Sequence, residues 1–142
     1  MTQLGPIAAV TIATPELQST IDAWRLYLGY ELTDHDRVTP AMAAQFGRPG
    51  LAGQRYALML PGGEGQTWVR FVESRADPDY RPFRHMGWNA AELMVQDTDQ
   101  AAARVDSQHQ TAGKLAALFP KPNWLLQGQR ADDQSFYSGV EQ

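Results

Sequence analysis

The stretch Pro6 to Leu32, PIAAVTIATPELQSTIDAWRLYLGYEL, decides the fold. Ile7 to Ala13 holds no charge and no proline and carries Val10, Thr11 and Ile12. Such β-branched residues suit a half-buried pleated surface, so the segment reads as a strand. Thr14 offers a side-chain oxygen to the free amides of a helix start, Pro15 has the φ of a first helical position, and Glu16 suits the positive end of the dipole. Leu17, Ile21, Trp24 and Leu28 then recur at three- and four-residue spacing, and Gly29 supplies a left-handed stop before Tyr30 to Leu32 resume an extended pattern. The unit is strand, helix, strand.

The same design returns downstream. Ala90 to Val95 is an apolar strand, Asp97 is placed to cap the next helix with Gln100 closing a loose capping box, and Ala101, Ala102 and Val105 form its apolar stripe. Ile12 with Leu93, Glu16 with Asp97 and Trp24 with Val105 stand at one offset, since 93 − 12, 97 − 16 and 105 − 24 are each 81. Strand, acidic cap and helix face agreeing in one register is the mark of an internal repeat.

Between the two copies, Thr39 to Phe46 reads as a short helix entered through Thr39-Pro40 and ended by Gly47. Arg55 to Leu60 and Thr67 to Glu73 read as antiparallel strands joined by the glycine-rich turn PGGEGQ. The first module, residues 4–76, is therefore strand, helix and three strands. A connector rich in charge and proline follows at 77–86, and a divergent second module at 87–142, with short strands expected at Leu115 to Phe119, Trp124 to Leu126 and Ser135 to Val140. The class is α+β: two modules of one 142-residue domain sharing a cupped mixed sheet, helices on the outer face, the second module atypical or incomplete.

Net charge −4 with two lysines, Lys114 and Lys121, argues against nucleic acid, which needs clustered cations. The absence of cysteine excludes disulfides, zinc-thiolate sites and thiol nucleophiles. No segment is long and apolar enough to span a bilayer, and MTQLGPIA lacks the basic flank and apolar core of a secretion signal, so a cytoplasmic protein with no membrane partner is expected.

The order strand, helix, three strands, written twice, and the phrase Leu17 to Gly29 (LQSTIDAWRLYLG) before an extended segment, resemble the vicinal oxygen chelate superfamily of glyoxalase I, bleomycin-resistance proteins and extradiol dioxygenases. In metal-using members the resemblance implies ligands on the first and last strands of each module. Those positions fall here at Ala9, Arg70 and Ala90. Alanine has no lone pair and a guanidinium is a permanent cation without an acceptor, so neither a metal nor another cofactor is expected.

Strand alternation, set by that alignment, turns Ala9, Thr11 and Ala13, then Trp68, Arg70 and Val72, then Trp88, Ala90, Glu92 and Met94 toward the cup. The other parity, Val10, Ile12, Val69, Phe71, Ala91, Leu93 and Val95, is uniformly apolar and reads as the helix-facing core. Thr11, Trp68, Arg70, Trp88, Glu92 and Met94 are thus the candidate ligand contacts. Indole faces stack on planar or cationic molecules, and a guanidinium holds a carboxylate at two points. Three readings stand side by side: a metal-free, tryptophan-lined cup that sequesters a planar or cationic organic compound; a metal-dependent lyase, isomerase or dioxygenase of the same superfamily, or a metal-free enzyme using Glu92 as base; and a cup whose Arg70 and Glu92 merely pair while the tryptophans fill space. Bare sheet edges point to a homodimer, with exchanged strands as one form of it. His35, His85 and His109 have no second ligand at helical or hairpin spacing, Gly62, Gly63 and Gly65 precede no Gly-Lys-Ser/Thr, and no serine sits in a nucleophile elbow.

Overall fold

The apolar run that opens the chain forms β1 (Ala9–Thr14) and hands over to α1 (Leu17–Ala23), whose last turn, Trp24–Leu28, is π-helical. Gly29 ends it at φ 69°, a conformation that costs a Cβ-bearing residue about 1–2 kcal/mol. β2 (Tyr30–Arg37), α2 (Pro40–Gln45), a 3-10 turn at Pro49–Leu51, β3 (Arg55–Pro61) and β4 (Trp68–Glu73) complete the first unit. The computed structural model describes residues 5–75, 78–79, 93, 95–111, 126–129 and 135–138, and the chain divides into two compact units, Met1–His85 and Met86–Gln142.

In the first unit the strands run in the order β1-β4-β3-β2, with β1 parallel to β4 and the other pairs antiparallel. This is a complete βαβββ module with an open mixed sheet, the α+β class expected. Three bonds beyond the strand limits fasten β1 to β4: the amide of Trp68 donates to the Ala8 carbonyl (2.9 Å), that of Ser74 to the Thr14 carbonyl (2.8 Å), and the Thr67 hydroxyl to the Ile7 carbonyl (2.8 Å).

One face of the sheet takes α1. Leu17 and Ile21 pack on Ala57, Met59, Val69 and Phe71, with Ile12, Trp24 and Tyr30 at the margin. The helix-facing parity is thus as read for Ile12, Val69 and Phe71. Met59 and Phe71 are wholly buried, each stabilising the fold by about 1.5–3 kcal/mol relative to an exposed side chain. Trp24 meets Phe71 and Tyr30 edge-on, with ring centroids at 4.8 and 4.9 Å, and burial pushes the Tyr30 hydroxyl's pKa up. Val10 departs from expectation: it lies 42% exposed on β1, which stands at the edge of the sheet among the described strands and is not covered there by α1.

The helix start also differs from the reading. Glu16 is the N-cap, with no side-chain cap bond, and Pro15 stays outside the helix because Thr14 ends β1. Thr14 still serves the start, its hydroxyl accepting from the Glu16 amide at 3.3 Å. At the other end the π turn changes the phase of the stripe, so that Tyr27 is buried and Leu28 only half so.

The opposite face is partly covered too. The Thr39 hydroxyl accepts from the Met42 amide (3.1 Å), Pro40 occupies the first helical position, and the short α2 lays Ala43 against Val38 and Val72, with Met42, Phe46, Leu51 and Tyr56 around them. Val72, expected to look into an open cup, is 1% exposed beneath this cluster.

In the second unit α3 (Thr98–Thr111) starts as read: the Asp97 carboxylate accepts from the Gln100 amide at 2.9 Å and Val105 is buried. The two helices begin at Leu17 and Thr98, and 98 − 17 is again 81. β5 (Leu126–Gln129) and β6 (Ser135–Ser138) form an antiparallel pair. The strand expected at Leu115 to Phe119 lies outside the described residues, as does most of that at Ala90 to Val95. Among the described residues, no helix is long and apolar enough to cross a membrane.

Candidate functional site

β4 carries the site, because its alternation separates Val69 and Phe71, sealed under α1, from Trp68 and Arg70 on the other face. Directly opposed residues on neighbouring strands share a face, so the register defines rows across it. Thr11 stands opposite Arg70, Arg70 opposite Leu58, and Leu58 opposite Asp34. In the next row Ala13, Val72, Tyr56 and Asp36 follow one another, and Ala9 pairs with Trp68. The two aspartates reach this face through a register shift between Leu32 and Asp34, where Thr33 is the extra residue and donates its hydroxyl to the Leu58 carbonyl at 3.0 Å.

Of the six residues singled out from sequence, Thr11, Trp68 and Arg70 therefore stand together on adjacent strands. Thr11 is exposed and Trp68 half-buried. Trp88, Glu92 and Met94 lie outside the described residues, and with them the pairing of Arg70 with Glu92. His35 is exposed on β2, His109 lies on α3, and His85 is outside the described residues.

Arg70 is the unusual member. Its Cζ lies 5.3 Å from the centroid of the Phe46 ring, and its Nε is buried without a hydrogen-bond partner. The nearby acids are committed elsewhere. Asp34 and Asp36 each accept from the following amide, at 2.8 and 2.7 Å. Glu31 pairs with Arg25 at 3.3 Å, and Glu73 takes the Nε of Arg55 at 2.8 Å and its Nη2 on the second oxygen. That fork holds the Glu73 carboxyl below the ordinary glutamate range and raises the Arg55 pKa. Asp34 is two strands from Arg70, about 10 Å at the usual strand spacing, too far for contact.

The two positions of this unit that the family resemblance assigns to metal ligands, Ala9 and Arg70, do not fit a cation. One has no donor atom and the other is itself positive. Among the described residues no group of three or more histidine, aspartate or glutamate side chains is arranged to hold a metal ion. The face can instead stack a flat molecule on Trp68, offer the Thr11 hydroxyl, and present the buried Nε of Arg70. Phe46, Asp34 and Asp36 were missed from sequence. Phe46 reads there only as the end of a short helix, and the aspartates' place depends on the bulge.

No protein-family model matches the chain, and no curated protein matches it. Among solved structures it is similar to a glyoxalase family protein from Bacillus cereus, with a TM-score of 0.54 and 20% identity over 75% of this chain and 73% of that one. It also matches the genomically encoded fosfomycin resistance protein FosX from Listeria monocytogenes. For a mutant in complex with Mn(II) and 1S,2S-dihydroxypropylphosphonic acid the TM-score is 0.49, at 10% identity over 96% of this chain and 86% of that one. The likeness to the Bacillus cereus protein is one of fold, and the fold is the one that the βαβββ reading implied.

Proposed function

We propose that this chain is a metal-free, glyoxalase-fold protein that binds a small planar organic molecule on the β4 face, with Trp68 as the stacking wall and Thr11 and Arg70 as polar contacts. The observation that carries the reading is the orphaned Nε of Arg70 on the same face as a half-buried tryptophan. Buried polar groups are normally paired, and a donor left open beside an aromatic surface is what a ligand completes. At the places where relatives in the superfamily grip a metal, this chain offers a methyl group and a cation, so no reaction step is assigned to a metal.

The test is tryptophan fluorescence of chelator-stripped protein titrated with a panel of planar aromatic compounds, alongside Trp68→Leu. A ligand-dependent shift that the substitution removes supports the reading. Spectra unchanged across the panel, or stoichiometric Zn, Ni, Mn or Fe in the purified protein, overturn it. The oligomer proposed is a homodimer. Among the described strands β1 stands at an edge of its sheet, with Val10 on it and Ile7 just before it exposed, and such edges seek a partner strand. A monomer by sizing at micromolar concentration removes that part.

A further inference from the structure

We infer that the molecule bound at the β4 face carries a carboxylate, taken along the Nε edge of Arg70, and that Phe46 is a positioning residue holding the guanidinium in plane. The inference rests on the ligand-binding reading above and assigns the charge that this reading leaves open.

Three observations converge. First, the only buried, unpartnered side-chain polar atom among the described residues is Arg70 Nε. A cationic donor shut away from water without an acceptor is costly, and an anion relieves it. Second, no ion pair joins Arg70 to a carboxylate among the described residues, where Glu31 pairs with Arg25 and Glu73 with Arg55. Third, Phe46 packs with the Val38, Ala43 and Val72 cluster, and its ring lies 5.3 Å from Arg70 Cζ. A guanidinium over a ring meets it with its face and not with its N–H edge, and that edge matches the two oxygens of a carboxylate.

The size of the ligand follows from spacing. Trp68 and Arg70 are two residues apart on one face of β4, about 7 Å along the strand. A bicyclic aromatic carboxylate spans that distance with its ring on the indole and its oxygens on the guanidinium. The net charge of −4 favours cations at long range. Salt screens that attraction within about 10 Å, whereas a partly desolvated contact is screened far less, so the local guanidinium prevails.

Three matched probes decide the matter by titration calorimetry at pH 7: 2-naphthoate, 2-naphthamide and 2-naphthylmethylammonium. The naphthoate is expected to bind about tenfold or more tighter than the amide, the order of one charge-assisted two-point contact, and the ammonium weakest. Arg70→Met should erase the difference between naphthoate and amide. Phe46→Leu, which keeps the charge but frees its orientation, should shrink it, and should do so without altering the circular dichroism spectrum. Equal binding of the three probes, a preference for the ammonium, or a naphthoate preference that survives Arg70→Met overturns this inference and leaves the ligand-binding reading standing. Failure of all three to bind overturns both. The comparison of probes on the unaltered chain remains decisive if Arg70→Met does not fold.

Discussion

The hydroxyls of Thr14 and Thr20 lie 2.7 Å apart, both residues being more than nine-tenths buried, and they close a ring that ties the end of β1 to the first turn of α1. Thr20 donates to the Glu16 carbonyl at 2.9 Å, which uses its single proton, so Thr14 is the donor between the two hydroxyls and itself accepts from the Glu16 amide at 3.3 Å. Each group is satisfied by the next. This ring replaces an N-cap side chain at a helix start that has none.

Thr20→Val should therefore destabilise the protein by about 1–3 kcal/mol, because it leaves the buried Thr14 hydroxyl without its acceptor, while the Glu16 carbonyl keeps the Thr20 amide at 3.0 Å. Thr14→Val should cost a similar amount. The double variant should cost clearly less than the sum, since either change already breaks the ring. Urea unfolding of the four proteins measures this. Additive losses would show that the hydroxyls act independently.

Glu73 and Arg55 make the unit's pH-sensitive contact. The Arg55 fork lowers the folded-state pKa of Glu73, so the pair stabilises the fold above the unfolded glutamate value of about 4.3 and is lost as pH falls through the lower folded value. Arg55 stays charged throughout. The gap in melting temperature between the native chain and Glu73→Gln should hold level from pH 7 to about 5 and close toward pH 3. The pair is substantially exposed, so the gap should also narrow in 0.5 M salt. A gap that persists unchanged at pH 3 would remove the assignment.

Gly29 sits at φ 69°, its amide donating to the Arg25 carbonyl at 3.2 Å and its carbonyl accepting from Gly62 at 2.9 Å. Its conformation is thus held from both sides, and Gly29→Ala should cost about 1–2 kcal/mol through backbone strain alone. Gly5→Ala, where an added Cβ meets open space, is the control and should lie within about 0.5 kcal/mol of the native chain. Equal unfolding midpoints for the two variants would contradict the strain at Gly29.

The first module was legible in sequence because its signals are local. The capped turn at Thr39-Pro40, the glycine turn after β3 and the alternation of β4 each depend on residues a few positions apart. What the sequence did not disclose arises from contacts distant along the chain. Pro15 looked like a first helical residue, but the pairing of β1 with β4 carries the strand to Thr14 and delays the helix to Leu17. Tyr27 is absent from the stripe of Leu17, Ile21, Trp24 and Leu28 read at three- and four-residue spacing, yet the π turn brings it in. Phe46, two dozen residues from Arg70, reaches it only because α2 folds over the sheet, and no period in the sequence encodes that return. Thr11, Trp68 and Arg70 were placed on one face by an alternation whose phase came from the family resemblance, and they share that face because β1 and β4 pair without a register shift.

That return of α2 gives the last prediction, which joins packing to the site. Ala43 is wholly buried in one cluster with Val38 and Val72, so a larger side chain there has to displace its neighbours. Ala43→Leu should cost about 1–3 kcal/mol by overpacking. It should also lift α2 from the sheet and carry Phe46 off Arg70. Two readouts should then move together: the unfolding midpoint, and the preference of the binding face for 2-naphthoate over 2-naphthamide. Ala44→Leu, one residue on but exposed, should move neither. Loss of stability with the preference intact would mean that Arg70 keeps its orientation without Phe46, whereas loss of preference in both variants would trace the effect to the added bulk of leucine on α2 rather than to the seat of Ala43 on the sheet.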